Sequence, residues 1–272
     1  MPPKFTWQLR TRTLLLGERP LLMGILNVTP DSFSDGGRFF STEKALTQAL
    51  QLLDRGADLL DLGGESTRPN AIPVSAEEEQ TRILPVLHAI LKARPEAILS
   101  IDTYHSETAA AALDAGAEII NDVSGLLWDH GMAALLAKEK PGAILMHTRG
   151  RPQEWPTLPP LAPEEILPLV LNGLTHTLAL ARAAGMPRDT IVLDPGFGFG
   201  KAGAENFTLL AHFDDLHQLG YPLLAGLSRK RFLTAHLEHP APKDRLEATN
   251  AANAALIQAG AHILRIHDIP QP

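Results

Sequence analysis

The sequence predicts a single α/β domain, a parallel (β/α)₈ TIM barrel, from three observations. Eight short apolar runs recur along the chain, and each is followed by a polar or glycine-bearing loop. Helix-like stretches separate these runs, and no break in composition divides the 272 residues. Alternating buried strands and helices are typical of a parallel α/β fold, and about 250 residues is the usual length of such a barrel.

The predicted elements follow in chain order. Residues 5–16 partly alternate and end at Gly17, which predicts a short hairpin within 1–18 and a barrel over 19–272. The predicted strands are 21–26, 57–62, 97–101, 118–120, 142–146, 190–193, 222–225 and 262–266. The predicted helices are 42–55, 75–93, 106–115, 130–139, 163–184, 204–219, 229–237 and 244–259. Capping residues open several of these helices, such as Ser75 with Glu78, and Gly185 closes another.

Composition limits the classes of function. A formal net charge of −7 and a pI near 5.9 disfavour nucleic acid or an anionic membrane as the main partner. There is no cysteine, which excludes disulfides and thiolate catalysis. The N-terminus lacks the apolar core of a secretory signal, and no uninterrupted apolar stretch reaches about 18 residues. We therefore expect a cytoplasmic protein.

The stretch MGILNVTPDSFSDGG, from Met23 to Gly37, has the strongest functional signal. An apolar strand ends at Asn27, and a polar, glycine-bearing loop runs on until helix-like sequence resumes near Ser41. An ordinary strand-to-helix connection needs only about two to six residues. A long polar loop at the carboxyl end of a strand is where α/β proteins place their chemistry.

Polar side chains follow the other predicted strands as well. Any one of them could be a helix cap, but the carboxyl ends of parallel strands meet at one mouth of a barrel, so together they predict one site. The residues at these ends are Asn27, Glu65, Thr67, Arg68, Asp102, Asn121, His147, Asp194, Ser228, Lys230, Arg265 and His267. Carboxylates can accept a pair of N–H groups and amides offer both a donor and an acceptor, which suits a flat heterocycle with several donors and acceptors.

The end of the last strand predicts an anion site. Arg265 and His267 are two residues apart, so their side chains can face the same side of the strand. Asn27 from the first strand lies across the barrel seam from them. Phosphate groups often bind at this part of a barrel.

The chain closely resembles the dihydropteroate synthases, the pterin-binding enzymes of folate synthesis, over roughly residues 20 to 269. Five motifs in the family's order and spacing support the resemblance: the 23–37 stretch, GGESTRP at 63–69, DPGFGFGK at 194–201, SRK at 228–230 and RIHD at 265–268. The resemblance implies a transferase that condenses 6-hydroxymethyl-7,8-dihydropterin diphosphate with p-aminobenzoate and releases pyrophosphate. It also implies a homodimer that sulfonamides target.

The resemblance implies roles for individual residues. The expected pterin contacts are Asp102, Asn121, Met146, Asp194, Phe199 and Lys230. The expected pyrophosphate contacts are Asn27, Thr67, Arg68, Arg265 and His267, and Asn27 is also expected to hold Mg²⁺. The expected p-aminobenzoate contacts are Phe33, Thr67, Pro69, Lys230 and Arg231, with the backbone or the side chain of Arg231 as open alternatives. Catalysis is expected to depend on Asn27, Arg68, Asp102 and Lys230.

Further expectations come from the residues themselves. SRKR at 228–231 predicts a helix whose N-terminus could seat a carboxylate. GFGFGK fits neither common phosphate-loop pattern, so we expect its glycines to permit turns and Lys201 to be a cation on the rim. We expect His147 to support the pocket rather than to transfer protons.

Two alternative functions stay open. One is a methyltetrahydrofolate-dependent corrinoid methyltransferase, and the other is a non-catalytic pterin-binding paralogue. The cations expected at Arg265 and His267 and the long first loop favour the synthase over the methyltransferase. The presence of Asn27, Thr67, Arg68 and Lys230 argues against the paralogue.

Overall fold

The computed structural model describes residues 2–28, 38–65, 73–235, 237–238 and 241–269, without the side chains of 38–41 and 242. The strands are β1 Phe5–Gln8, β2 Thr13–Leu16, β3 Leu21–Asn27, β4 Leu59–Gly63, β5 Leu99–Asp102, β6 Ile119–Asp122, β7 Gly142–Met146, β8 Ile191–Asp194, β9 Leu224–Ala225 and β10 Ile263–Ile266. The helices are α1 Arg38–Asp54, α2 Ala76–Ala93, α3 Ser106–Asp114, α4 Met132–Glu139, α5 Pro163–Ala184, α6 Gly203–Ala211 and α7 Pro242–Gln258.

The predicted barrel and its N-terminal hairpin are both confirmed. Strands β1 and β2 form an antiparallel pair. The other eight form one sheet in the order β8-β7-β6-β5-β4-β3-β10-β9. A parallel bridge between Leu193 and Leu223 links its two ends and closes the barrel. The strand carboxyl ends therefore meet at one mouth, as the sequence predicts.

Two predicted helices are wrong in detail. The segment 204–219 divides into α6 and a 3₁₀ helix, Asp214–Leu219. The predicted helix at 229–237 is a four-residue 3₁₀ helix, Arg231–Thr234, because Arg229 has a left-handed backbone (φ +59°) and Lys230 is extended. The segment therefore starts with a 3₁₀ turn and not with the predicted α-helix N-terminus.

The lower half of the barrel lumen is apolar, and we call it the floor. It consists of Leu21, Met23, Leu59, Ile119, Ile144, Val192, Leu224 and Ile263, covered from below by Trp7, Leu9 and Leu16 of the hairpin. Trp7 is fully buried, and its indole N–H donates to the Thr190 carbonyl at 2.8 Å. The hairpin is therefore the plug that seals the amino end of the barrel.

Helix α5 is long and apolar enough to cross a membrane by length and composition alone. Its buried residues, among them Ile166, Val170, Leu174 and Ala181, recur every three or four positions. They lie on the side that contacts β7, α4 and α6. This is the pattern of a helix packed on a protein core.

Candidate active site

The lumen changes from apolar to polar two residues above the floor. Because strand side chains alternate, the residue two positions after a floor residue also faces the lumen. Leu59, Ile119, Val192 and Ile263 of the floor are followed in this way by Asp61, Asn121, Asp194 and Arg265. Together with Ser100 we call these four residues the polar layer.

Strand register brings three predicted site residues into one row at the mouth. Asn27 pairs with Gly63, Gly63 with Asp102, and Asp102 with Asn121. Gly63 places no side chain in this row. A methyl group built on it would lie 3.6 Å from Asp102 Oδ2 and 3.8 Å from Asn27 Oδ1. The amide oxygen and the carboxylate therefore converge over the glycine.

Arg265 joins the polar layer to this row. Its Nε donates to Asp61 Oδ2 at 2.6 Å, and its NH2 donates to Asp102 Oδ2 at 2.7 Å. Burial would lower the pKa of Arg265, but the two carboxylates outweigh burial and raise the pKa above its usual value. The guanidinium is thus held at two of its edges. Within the described residues its NH1 has no hydrogen-bond partner.

The pKa of Asp102 lies close to neutral pH. Burial raises the pKa of Asp102 to about 7, and the negative charge of Asp61 acts in the same direction. The Arg265 cation opposes this shift without cancelling it. A carboxyl group with such a pKa changes charge within the physiological range.

Asp194 and Lys230 form the opposite side of the mouth. Asp194 is buried, and its Oδ1 accepts from the Gly196 N–H at 2.7 Å. The Lys230 ammonium donates to the Phe197 carbonyl and lies 4.5 Å from the centre of the Phe199 ring. Burial lowers the pKa of Lys230 to about 8, against the opposing charge of Asp194.

Met146 lies beneath this side of the mouth. It is the register partner of Asp194 and is 3% exposed. A methyl group on Gly196 would come within 3.1 Å of its Cγ. The thioether is therefore packed under the loop that carries Phe199.

Ser228 fixes the proton on His267. Its hydroxyl oxygen accepts from the His267 backbone N–H at 3.1 Å and lies 3.0 Å from Nδ1. We assign the hydroxyl proton to Nδ1, which leaves the ring proton on Nε2. Burial, with the charges of Arg265 and Arg229, lowers the pKa of His267 to about 4. In the protein alone His267 is therefore a neutral donor and not the cation expected from the sequence.

The turn at Arg229 separates Ser228 from Lys230. Its backbone N–H donates to Thr249 Oγ1 at 3.0 Å, and its guanidinium forms two bonds to Asp268, at 2.9 and 2.5 Å. These contacts hold the left-handed residue from both sides. Arg231, one residue beyond Lys230, is exposed.

Lys201 is buried, so its predicted place on the rim is wrong. Its ammonium donates to the carbonyls of Gly196, Phe199 and His147 at 2.8, 3.3 and 3.4 Å. Burial lowers its pKa to about 7. Gly196 has φ +68°, and a Cβ there would lie 1.9 Å from the His147 carbonyl oxygen. The glycines thus permit tight turns, as predicted, and Lys201 ties the loop together.

His147 points away from the mouth. Its ring lies against Gly173 of α5, where a Cβ would come within 2.3 Å of Cδ2. Burial lowers its pKa well below the usual value. A buried neutral imidazole packed on a helix fits the supporting role expected from the sequence.

Four predicted site residues, Phe33, Thr67, Arg68 and Pro69, lie outside the described residues. The sequence reasoning missed Asp61 and Ser100. Asp61 lies inside the apolar run of β4 instead of at its end, and its only signal is a carboxylate two residues after Leu59. It is fully buried and accepts from both Asn121 and Arg265.

The residues at the mouth fit a magnesium ion that is bound mainly by its substrate. No group of three or more His, Asp or Glu side chains that could hold a metal occurs within the described part of the chain. Asn27 is exposed and presents a neutral oxygen beside Asp102 next to Gly63. Mg²⁺ commonly keeps several waters and binds through few protein oxygens together with phosphates.

The model of the pterin binding enzyme family matches residues 23–267. The chain belongs to the pterin-binding enzyme family. The dihydropteroate synthase of Synechocystis sp. is 42% identical over 253 residues, which are 93% of this chain and 86% of the relative.

Solved structures agree with this assignment. The Xanthomonas albilineans dihydropteroate synthase with 4-aminobenzoic acid superposes with a TM-score of 0.88 at 40% identity, covering 99% of this chain and 94% of the other. The same enzyme in complex with 7,8-dihydropteroate gives a TM-score of 0.84 at 38% identity, covering 98% and 94%. The predicted family, the transferase class and the dihydropteroate synthase activity are therefore confirmed, and small molecules are the substrates. The roles of individual residues stay predictions.

Proposed function

We propose that the mouth formed by Asp102, Asn121, Asp194, Lys230 and Arg265 binds 6-hydroxymethyl-7,8-dihydropterin diphosphate for condensation with p-aminobenzoate. The observation that supports this most strongly is the convergence of two carboxylates, an amide and two cations at the strand carboxyl ends of a family member. Such a set matches the donors and acceptors of a pterin edge and the charge of a diphosphate.

The pterin ring would lie between the row at Asp102 and Asn121 and the side formed by Asp194 and Lys230. Asp194 would accept the ring's adjacent N–H donors, because one of its oxygens already accepts from Gly196 and the carboxylate is thereby fixed in orientation. Lys230 would donate to a ring acceptor. Met146 and Phe199 would supply apolar contact below and beside the ring.

The diphosphate would lie toward Asn27, Arg265 and His267, with Thr67 and Arg68 added from the loop after β4. The Arg265 NH1 group and the His267 Nε2–H are the donors left over from the contacts described above. Asn27 would hold Mg²⁺ at the phosphates. When bound, that ion supplies positive charge that stabilises the departing pyrophosphate. Phe33, Pro69 and Arg231 would border p-aminobenzoate.

In the reaction the bond from the methylene carbon to the diphosphate oxygen breaks, and its electron pair leaves with pyrophosphate. The aniline nitrogen then forms a bond to that carbon and loses a proton. An aniline is a poor nucleophile. The protein should therefore lower the barrier mainly by stabilising the leaving group and a cationic pterin methylene. Arg265 and His267 would act on the leaving group, and ionised Asp102 would favour the cation.

The test measures pyrophosphate release in a single turnover, with p-aminobenzoate supplied or withheld. We expect fast release with p-aminobenzoate and slow release without it, because water can trap an ionised pterin. Asp102→Asn should keep most of the pterin affinity and slow the chemical step by about a hundredfold, the loss of one preorganised charge. Release that depends strictly on p-aminobenzoate, with an unchanged rate in Asp102→Asn, would leave Asp102 as a hydrogen-bond acceptor alone.

We also propose a cytoplasmic homodimer without a nucleic-acid or membrane partner. The net charge of −7 argues against polyanions. Phe207 on α6 is 45% exposed and Leu246 on α7 is 37% exposed, and Phe207 packs edge-on against Phe232 of the 3₁₀ turn. Exposed apolar side chains on two helices that both contact this 3₁₀ turn suit a second copy. Sedimentation should show a dimer that Phe207→Lys converts to monomers, and a monomeric native chain would refute the dimer.

A further inference from the structure

The carboxylate of Asp61 accepts three side-chain hydrogen bonds inside the barrel. Ser100 Oγ donates to Oδ1 at 2.6 Å, Asn121 Nδ2 donates to Oδ2 at 3.0 Å, and Arg265 Nε donates to the same Oδ2 at 2.6 Å. The residue is fully buried. Side chains from β5, β6 and β10 thus meet at one carboxylate of β4 that has no exposed surface.

This geometry has a consequence for Asn121. A carboxylate can only accept, so the amide must turn its nitrogen toward Asp61. The Asn121 carbonyl oxygen is then directed away from Asp61. The group that a pterin meets at this position is therefore chosen by Asp61 and not by Asn121 alone.

The same oxygen also sets the position of Arg265. The guanidinium is bound through Nε to Asp61 and through NH2 to Asp102, which fixes the direction of its remaining NH1 group. Without Asp61 the side chain would keep a single anchor. Asn121 belongs to the proposed pterin contacts and Arg265 to the proposed phosphate contacts.

We propose that Asp61 is the positioning residue that orients Asn121 and Arg265 together and so couples pterin recognition to diphosphate recognition. The inference rests on the proposed placement of the pterin diphosphate. Asp61 itself touches neither ligand. Its loss should therefore affect the pterin substrate and leave p-aminobenzoate recognition unchanged.

Asp61→Asn is the decisive variant, because an amide at this position can donate to Asn121 and reverse its orientation. We expect the KM for the pterin diphosphate to rise and the affinity for 6-hydroxymethylpterin, measured by calorimetry, to fall, each by about tenfold to a hundredfold. The KM for p-aminobenzoate should change by less than about threefold. Ser100→Ala is a milder second variant that frees the carboxylate to rotate, and it should shift the same KM severalfold.

Asp122→Asn is the matched control. Asp122 is also fully buried, but its carboxylate accepts from the backbone N–H groups of Ser124 and Leu126 and has no bond to Asn121 or Arg265. It should lower the melting temperature without the selective change in KM. Equal KM changes in Asp61→Asn and Asp122→Asn, or none in Asp61→Asn, would overturn the inference. Failure of the unaltered chain to bind 6-hydroxymethylpterin would overturn the proposed site, and the inference with it.

Discussion

The floor and the polar layer share four strands, β4, β6, β8 and β10, on which their residues lie two positions apart, and they are stabilised differently. The floor is filled by aliphatic side chains and sealed by Trp7, so its contribution is burial of apolar area. The polar layer contains carboxylates and a guanidinium that are stable only while they remain paired. The floor can therefore be changed at a cost in stability alone, whereas a change in the polar layer alters stability and ligand recognition together.

Arg265→Ala should give the largest effect, because it acts on both properties. It leaves Asp61 and Asp102 without their cation, and breaking a buried pair costs about 3–5 kcal/mol of folding free energy. Affinity for the pterin diphosphate should fall by roughly a hundredfold, and affinity for a pterin without phosphates by less. Calorimetry with both ligands and urea unfolding measure the two effects. Equal losses of affinity for the two ligands would show that Arg265 does not bind the phosphate groups.

Trp7→Ala should lower folding stability without changing ligand recognition. Removing a buried tryptophan should lower the free energy of unfolding by about 3–5 kcal/mol. The kcat/KM of the folded protein should stay within about twofold, since the plug does not reach the mouth. Leu15→Ala is the control on the same hairpin, because Leu15 is 69% exposed and should cost little. A marked fall in kcat/KM at full folding would mean that the floor also shapes the mouth.

The pH dependence of the chemical step should report the titratable groups of the mouth and not the floor. Asp102 has a pKa near 7 and is protonated below it, so its acceptor charge is lost as the pH falls. Lys230 has a pKa near 8 and loses its positive charge as the pH rises. The rate of pyrophosphate release in a single turnover should peak between these values and fall by about tenfold per pH unit on the acid side. Asp102→Asn should remove the acid limb, and a limb that persists would assign it to another group.

Arg229→Ala should have the smallest effect on stability. The Arg229–Asp268 pair is exposed, and such pairs contribute less than about 1 kcal/mol. Alanine would still have to adopt the left-handed backbone that separates Ser228 from Lys230. Chemical denaturation with Asp268→Asn as the companion variant should show similar small losses. A loss of several kcal/mol would make this turn a main support of the mouth.

The fold was predictable because its signals are local. Each strand is a short apolar run, and helix-like stretches lie between the runs, several of them bounded by a capping residue or a glycine, so the barrel could be assigned without long-range information. The row of Asn27, Asp102 and Asn121 follows from the same reading, since strand ends meet at one mouth.

The ion pairs within the site were not predictable from the sequence. The contacts of Arg265 with Asp61 and Asp102 depend on how β10, β3, β4 and β5 are staggered, which no local pattern states. Asp61 was hidden because an acidic residue inside an apolar strand resembles an interruption. The 3₁₀ turn at 231–234 depends on one left-handed residue, Arg229, whose side chain gives no sign of it.

The plug is synthesised before most of the barrel that it covers. Trp7 donates to a carbonyl 183 residues further on, and Arg10 and Thr11 bind Leu113 and Glu118. A ribosome adds about 5–20 residues per second, so the hairpin waits on the order of ten to forty seconds for its main partner. During synthesis Trp7, Leu9 and Leu16 have no barrel to cover. The hairpin is thus made well before its main partner, and the growing chain exposes this apolar hairpin until β8 has emerged.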